Sequence, residues 1–320
     1  MGKIYLHIGL HKTATTLIQR TLSNNRRKLS RAEIYYPNYN IIRKERNYCH
    51  HALARSINSD DGALDDVNLT EFFRKLGRYT KDDCIISSEI FYRMSSAKGG
   101  VEYIAKCSEY LKSTGMPVCI VISVREQASY IDSLYREHIE QTKYTGNIKR
   151  FIRERKSWLN YRSKIDDWLK YFDEVKVINY HSLSRENLVS DFIRMVTGKH
   201  LVLENAEFGN PSMSDEWVLV RKLLNEMDIS LPMLKSFNSS IYAYIREGVG
   251  VQRGAKSLLG ADLSRQLFDD YSSMNQNLFD EYMQGDPIGN FEPLTSGLTP
   301  RDLTNPEYVK KAITDILEQL

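Results

Sequence analysis

The chain of 320 residues carries 44 Lys and Arg against 41 Asp and Glu, a formal net charge of +3, with 42% hydrophobic and 27% charged residues. Disorder would need fewer apolar residues and more net charge, and a dedicated nucleic-acid binder a stronger basic excess, so both are excluded. What remains is a globular chain long enough for one large α/β domain or two small ones. Cys49, Cys84, Cys107 and Cys119 are scattered with no Cys-x-x-Cys pair, which fits a reducing compartment, and Cys84 and Cys119 sit inside apolar runs, where buried free thiols are expected. Polar His7 interrupts any signal-peptide core, and no apolar run is long enough to span a bilayer, so a cytoplasmic location is expected.

In chain order, Ile4–Ile8 reads as a short buried strand, followed by a turn at Gly9 and a helix from Thr15 to Leu29 with Leu17, Ile18 and Leu22 on one face. Cys84–Ser88 is a second strand. Val118–Val124, rich in β-branched residues, has the pattern of a central strand in a parallel sheet covered on both faces. Val175–Tyr180 is a fourth strand, reached through the amphipathic helix Tyr161–Phe172. Alternating strands and helices predict an α/β fold with a parallel sheet flanked by helices. After about Gly198 helical patterns dominate, at Asp215–Met227, Met233–Arg246, Ala261–Tyr282 and Glu307–Leu320, with a loop over Asp286–Asn305. The expectation is a single domain, with residues 1–198 as its α/β core and 199–320 as a mainly helical C-terminal part.

The segment between the first strand and the first helix is Gly9-Leu10-His11-Lys12-Thr13-Ala14-Thr15-Thr16. A helix N-terminus offers free backbone N–H groups and the positive end of the helix dipole, and so favours an anion. Lys12 adds a mobile positive charge, and the hydroxyls of Thr13, Thr15 and Thr16 add donors. The plainer alternative is a capped helix start with Lys12 solvated. The loop is not a Walker A sequence, because no glycine adjoins the lysine and Gly9 stands only three residues before it. A triphosphate is therefore disfavoured against a shorter anion.

His7–Thr16 resembles the 5′-phosphosulfate-binding loop of sulfotransferases that use 3′-phosphoadenosine 5′-phosphosulfate (PAPS), commonly Pro-Lys-[Ser/Thr]-Gly-Thr-Thr. His11 stands where proline is common and Ala14 where glycine is usual, so Ala14 is strained if that position needs positive φ. The resemblance also implies a 3′-phosphate site made by an arginine at a strand end and a serine eight residues later. Arg125 closes Val118–Val124, and Ser133 follows at that distance in Ser133-Leu134-Tyr135. A strand-end guanidinium faces the crevice where open α/β sheets bind ligands, and it can grip a phosphate bidentately. The family implied is the bacterial carbohydrate type, with a P-loop-like three-layer fold. Its donor would be held by His11, Lys12, Thr13, Ala14, Thr15, Thr16, Arg125 and Ser133. Arg253, in Val251–Lys256, is a further nucleotide contact by a looser similarity.

Sulfuryl transfer requires in-line geometry and neutralisation of the leaving phosphate, and the resemblance gives that neutralising role to Lys12 with no metal. The acceptor hydroxyl, or less readily an amine, needs a base or an orienting group. Glu89, after Ser87-Ser88, is the first candidate, with a pKa raised by partial burial. Its alternative is to hold Lys12 or a helix start. His51, in Cys49-His50-His51, and His11 are the other candidates, since a neutral imidazole is a competent base near pH 7. The acceptor expected by resemblance is a carbohydrate or a small hydroxylated molecule. Tyr135, Arg136 and His138 follow Ser133 on its helix, and the basic run Lys143–Lys156 is either a solvated face or a surface for an acidic glycan. Two other readings stay open: a P-loop kinase with a degenerate loop, and a nucleotide-binding relative without turnover.

Overall fold

The computed structural model describes residues 2–38, 48–57, 66–184, 186–206, 215–246 and 257–283. Arg253, the segment Val251–Lys256, the loop Asp286–Asn305 and the helix Glu307–Leu320 lie outside them. The described residues form an α/β fold with a five-stranded, wholly parallel sheet in the order β2-β3-β1-β4-β5. The strands are β1 (Ile4–His7), β2 (Ile34–Tyr35), β3 (Asp83–Ser87), β4 (Val118–Val124) and β5 (Glu174–Asn179). Four of them occupy segments expected from the sequence. The fifth, β2, has only two residues at the sheet edge, too few for a periodic signal.

The chain divides into two compact units. The first contains the described residues within Met1–Arg125, Asn160–Phe208 and Gln276–Gly289, and the second those within Glu126–Leu159 and Gly209–Asn275. In the first unit the sheet is covered on both sides. Tyr5, Ile85, Cys119, Val121 and Ile178 pack with Leu17, Ile18 and Leu22 of the helix Thr15–Asn24 and with Val189, Phe192, Ile193 and Val196 of the helix Leu188–Thr197. The alternate residues Ile4, Leu6, Cys84, Ile86, Ile120 and Ile122 are equally buried, and the two-residue period of a strand turns them to the opposite face. Helices Ile90–Ser95, Gly100–Lys112 and Tyr161–Leu169 cluster together in this unit, where Trp168 Nε1 donates to Ser95 Oγ at 3.4 Å.

The first helix is shorter than its apolar pattern predicts. It ends at Asn24, and a second helix runs over Arg26–Arg31. The break falls at Asn25, whose backbone leaves helical geometry (φ −107°, ψ 20°) while its N–H and its side-chain amide both donate to the Thr21 carbonyl, at 3.1 and 2.8 Å.

The second unit is helical, comprising Gln127–Gln141, Ile148–Glu154, Lys156–Leu159, Asp215–Glu226, Leu231–Arg246 and the start of Ala261–Tyr282. Polar pairs organise its interior. Arg136 Nε donates to Asp132 Oδ2 at 2.8 Å, and Asp132 Oδ1 accepts from Ser257 Oγ and the Leu258 N–H at 3.1 and 2.7 Å. The amides of Gln127 and Asn275 exchange two hydrogen bonds of 2.9 Å. Asn225 and Asn238 donate to carbonyls at the C-terminal end of Gln127–Gln141, satisfying groups that a helix end leaves open.

Candidate functional site

Parallel strands put all their carboxyl ends on one edge, and ligands of open α/β sheets bind where the chain leaves neighbouring strands in opposite directions. Here β1 lies between β3 and β4. The loop after β1, Ser88 and Glu89 after β3, and Arg125 after β4 all leave that edge.

The loop is held in an uncommon shape. Gly9, Lys12 and Ala14 have positive φ of 58, 65 and 58°. Among the described residues only Lys12, Ala14 and Glu33 adopt such angles without being glycine, so two of the three sit in this loop. A left-handed non-glycine residue costs about 1 kcal/mol or more, and such strain concentrates at ligand sites. Gly9 is demanded twice over: by its φ, and by space, since a Cβ there would sit 3.1 Å from Thr15 Cγ2 and 3.4 Å from Glu89 Cα. Ala14 is the N-cap of Thr15–Asn24, its methyl side chain makes no capping hydrogen bond, and no acidic residue stands in the first turn.

One expected donor is otherwise engaged. The buried Thr13 hydroxyl donates to the Leu10 carbonyl at 2.7 Å, so it closes the loop on itself. Thr15 is buried, whereas His11, Lys12, Ala14 and Thr16 are half-buried.

Arg125 meets this loop directly. Its Nη1 donates to the Lys12 carbonyl at 2.9 Å, and its guanidinium lies over the Tyr180 ring at 5.3 Å. The Tyr161 hydroxyl in turn donates to the Arg125 carbonyl at 2.7 Å, fixing the end of β4. Two motifs 113 residues apart are thereby tied together by a hydrogen bond. Ser133 belongs to the second unit, on the helix Gln127–Gln141, and is buried.

Glu89 follows β3 by two residues and forms the N-cap of Ile90–Ser95, so it sits just beyond the strand end. Its Oε1 lies 3.4 Å from His51 Nε2, and its Oε2 accepts from Gln19 Nε2 at 3.0 Å. His51 Nδ1 is 2.8 Å from Ser88 Oγ. The side chains of His51 and Glu89 retain 14% and 12% exposure, so the pair is mostly buried but not sealed from the surface.

The electrostatics of this pair differ from the expectation. Burial alone would raise the Glu89 carboxyl. The hydrogen bond and charge of His51, with the charge of His11, outweigh it and bring Glu89 down to about 2. Burial likewise works against His51⁺. Its hydrogen bonds to Cys49 and Glu89 and the Glu89 charge overcome it, placing His51 at about 9. Near neutrality the pair is imidazolium and carboxylate.

Its neighbour His50 is structural. Buried, with burial pulling it to about 4, it accepts from the Ser87 N–H at Nδ1 (3.1 Å) and donates from Nε2 to the Pro37 carbonyl (3.0 Å). His7, which in the sequence only interrupts an apolar strand, is fully buried. Its ring nitrogens lie 2.9 Å from Ser87 Oγ and 3.2 Å from Ser123 Oγ. Gln19 is a site residue that the sequence reading missed, and its sequence signal is no more than a polar residue on the apolar face of the first helix.

In the second unit, Arg136 is committed to Asp132. The Tyr135 hydroxyl donates to the Gly146 carbonyl at 2.8 Å, and the His138 ring packs at a tilt against Tyr144 and Phe151. These contacts account for three residues considered for the acceptor. In the basic run, Arg150 pairs with Glu154, and Arg155 lies over Phe151 and Trp158. Among the described residues no cluster of three or more His, Cys, Asp or Glu could hold a metal ion, and no helix is long and apolar enough to cross a membrane.

No family model matches the chain, and no curated protein matches it. Among solved structures, it is similar to the crystal structure of a sulfotransferase from Alicyclobacillus acidocaldarius, with a TM-score of 0.38 and 16% identity, covering 70% of this chain and 96% of that one.

Proposed function

We propose that this protein is a PAPS-dependent sulfotransferase acting on a hydroxyl of a carbohydrate or similar acceptor. The observation that carries the reading is the strained loop Gly9–Ala14, with Arg125 bonded to its Lys12 carbonyl. A helix N-terminus whose cap residue is alanine, a lysine and a strand-end arginine together form a cationic cradle for an anion with two phosphate groups. The missing Walker glycine separates this cradle from the usual triphosphate loop.

In this reading Lys12, the N–H groups of the first helical turn, and Thr15 and Thr16 hold the 5′-phosphosulfate. Arg125 holds the 3′-phosphate, and Ser133 is assigned to it from the sequence spacing alone. When bound, the donor supplies a sulfuryl group whose S–O bond to the 5′-phosphate breaks as one to the acceptor oxygen forms. Lys12 neutralises charge on the departing phosphate. Glu89 keeps lone pairs free beyond those used by Gln19 and His51, and it orients the acceptor hydroxyl and takes its proton. His51 and His11 keep Glu89 ionised. No metal has a role in this scheme.

Calorimetry with 3′-phosphoadenosine 5′-phosphate against ATP tests the reading. The 3′-phosphorylated nucleotide should bind at least about tenfold more tightly, and Lys12→Ala should weaken it by about tenfold or more, the scale of one charge-assisted contact. Preferential binding of ATP would instead favour a phosphoryl-transfer enzyme. Labelled-sulfate transfer to a panel of glycans then identifies the acceptor.

A further inference from the structure

The helix that begins at the loop also reaches Glu89. Gln19 stands one turn into Thr15–Asn24 and is almost wholly buried. Its Nε2 donates to Glu89 Oε2 at 3.0 Å, and lies 3.3 Å from Ser87 Oγ and 3.4 Å from the Ser87 carbonyl. Ser87 Oγ is itself held by His7 Nδ1 at 2.9 Å, and the other His7 nitrogen contacts Ser123 on β4. A continuous polar chain thus runs from Ser123 through His7, Ser87 and Gln19 to Glu89 and His51.

The direction of the Gln19 amide is set chemically. A carboxylate only accepts, so the NH₂ group must face Glu89. The Gln19 oxygen is buried with no hydrogen-bond partner among the described residues. A core position that served packing alone would be better filled by an apolar side chain.

We propose that Gln19 is a positioning residue: it locks the Glu89 carboxylate in the rotamer that faces His51, and it carries that setting on the same helix whose N-terminus receives the donor. His7 supports it by fixing the Ser87 hydroxyl. The proposal rests on the reading of Glu89 as the group that meets the acceptor. The titratable groups around the carboxylate are His51, His11 from the loop, His7 from β1, and Tyr36 beyond β2, with Cys49 against His51.

The test follows the His51 imidazole by ¹⁵N NMR through a pH titration of the whole protein, with Gln19→Met and Gln19→Glu. In Gln19→Met the carboxylate is released, so the His51 midpoint should fall from about 9 toward its ordinary 6.5. In Gln19→Glu a second carboxylate adds negative charge, so the midpoint should rise. Movement in opposite directions supports positioning. An unchanged midpoint in both variants overturns it, as does a fall in both while each keeps the near-ultraviolet circular dichroism of the parent protein.

Kinetics adds an independent readout. Gln19→Met should lower kcat about tenfold or more with the donor KM unchanged, the scale seen when a supporting partner is lost. Gln19→Glu should regain activity relative to Gln19→Met as pH falls, because the introduced carboxyl, once protonated, again donates to Glu89. Parallel pH profiles for the two variants would overturn the assignment. The titration needs no substrate, so it decides the role of Gln19 even if the nucleotide-binding experiment goes against sulfuryl transfer.

Discussion

At the scale of single residues, backbone geometry carries the most information. Ala14 has φ 58° and ψ 23°, a conformation in which a Cβ is a cost and glycine is at ease. The departure from the usual glycine was visible in the sequence, together with the strain it would imply. The angle itself was not, because it depends on how the loop closes through Thr13 and Arg125. Ala14→Gly should stabilise the protein by about 1 kcal/mol. Denaturant unfolding of the pair checks this, and a loss of stability would mean that the loop gains from the alanine methyl. The Glu89–His51 pair teaches the converse lesson. Burial was foreseen for Glu89 and does act as expected. The partner that reverses the outcome comes from a distant upstream segment, and no spacing rule announces it.

At the scale of elements, strand ends and helix starts do most of the work. Periodicity and β-branched runs were sufficient for β1, β3, β4 and β5, because each has four or more residues of a single pattern. Periodicity overran Asn25, because an amphipathic face says nothing of where the backbone leaves helical angles. The start of Gln127–Gln141 is better provided: the Glu126 carboxylate accepts from the N–H groups of Ala128 and Ser129 at 2.7 and 2.6 Å. It also places negative charge at the positive end of the dipole. Glu126→Ala should cost about 1–2 kcal/mol, and Glu126→Asp should recover part of it. Chemical denaturation of both variants measures the difference, and an Ala variant as stable as the parent would show that the cap is idle.

For the molecule as a whole, buried histidines set a pH window. His7 and His50 are held at about 4 in the folded state against an ordinary 6.5, mainly by burial. Their depressed pKa means the unfolded chain binds protons that the folded one refuses. Their contribution is thus complete above pH 6.5 and is lost as pH falls toward 4, by on the order of 3 kcal/mol each at the acid limit. His51 runs the other way. Raised to about 9, it contributes fully below 6.5, and that contribution is lost as pH rises through 9. Glu89, lowered to about 2, contributes fully above 4.5 and loses its share only as pH falls through 4.5 toward 2. Unfolding free energy measured from about pH 4 to 9.5 should therefore peak near 6.5, whereas a flat acid limb would mean that His7 and His50 protonate without resistance. The sequence alone determined the α/β class, the Lys12-bearing loop after the first strand, and Arg125 at the end of β4, because each is written in local pattern or in short fixed spacing. Only the tertiary structure decided that Arg125 grips the Lys12 carbonyl, that His51 and not His50 meets Glu89, and that Gln19 bonds the same carboxylate. Those facts depend on which strands become neighbours, and parallel crossovers bring together residues whose separation along the chain carries no signal of their contact.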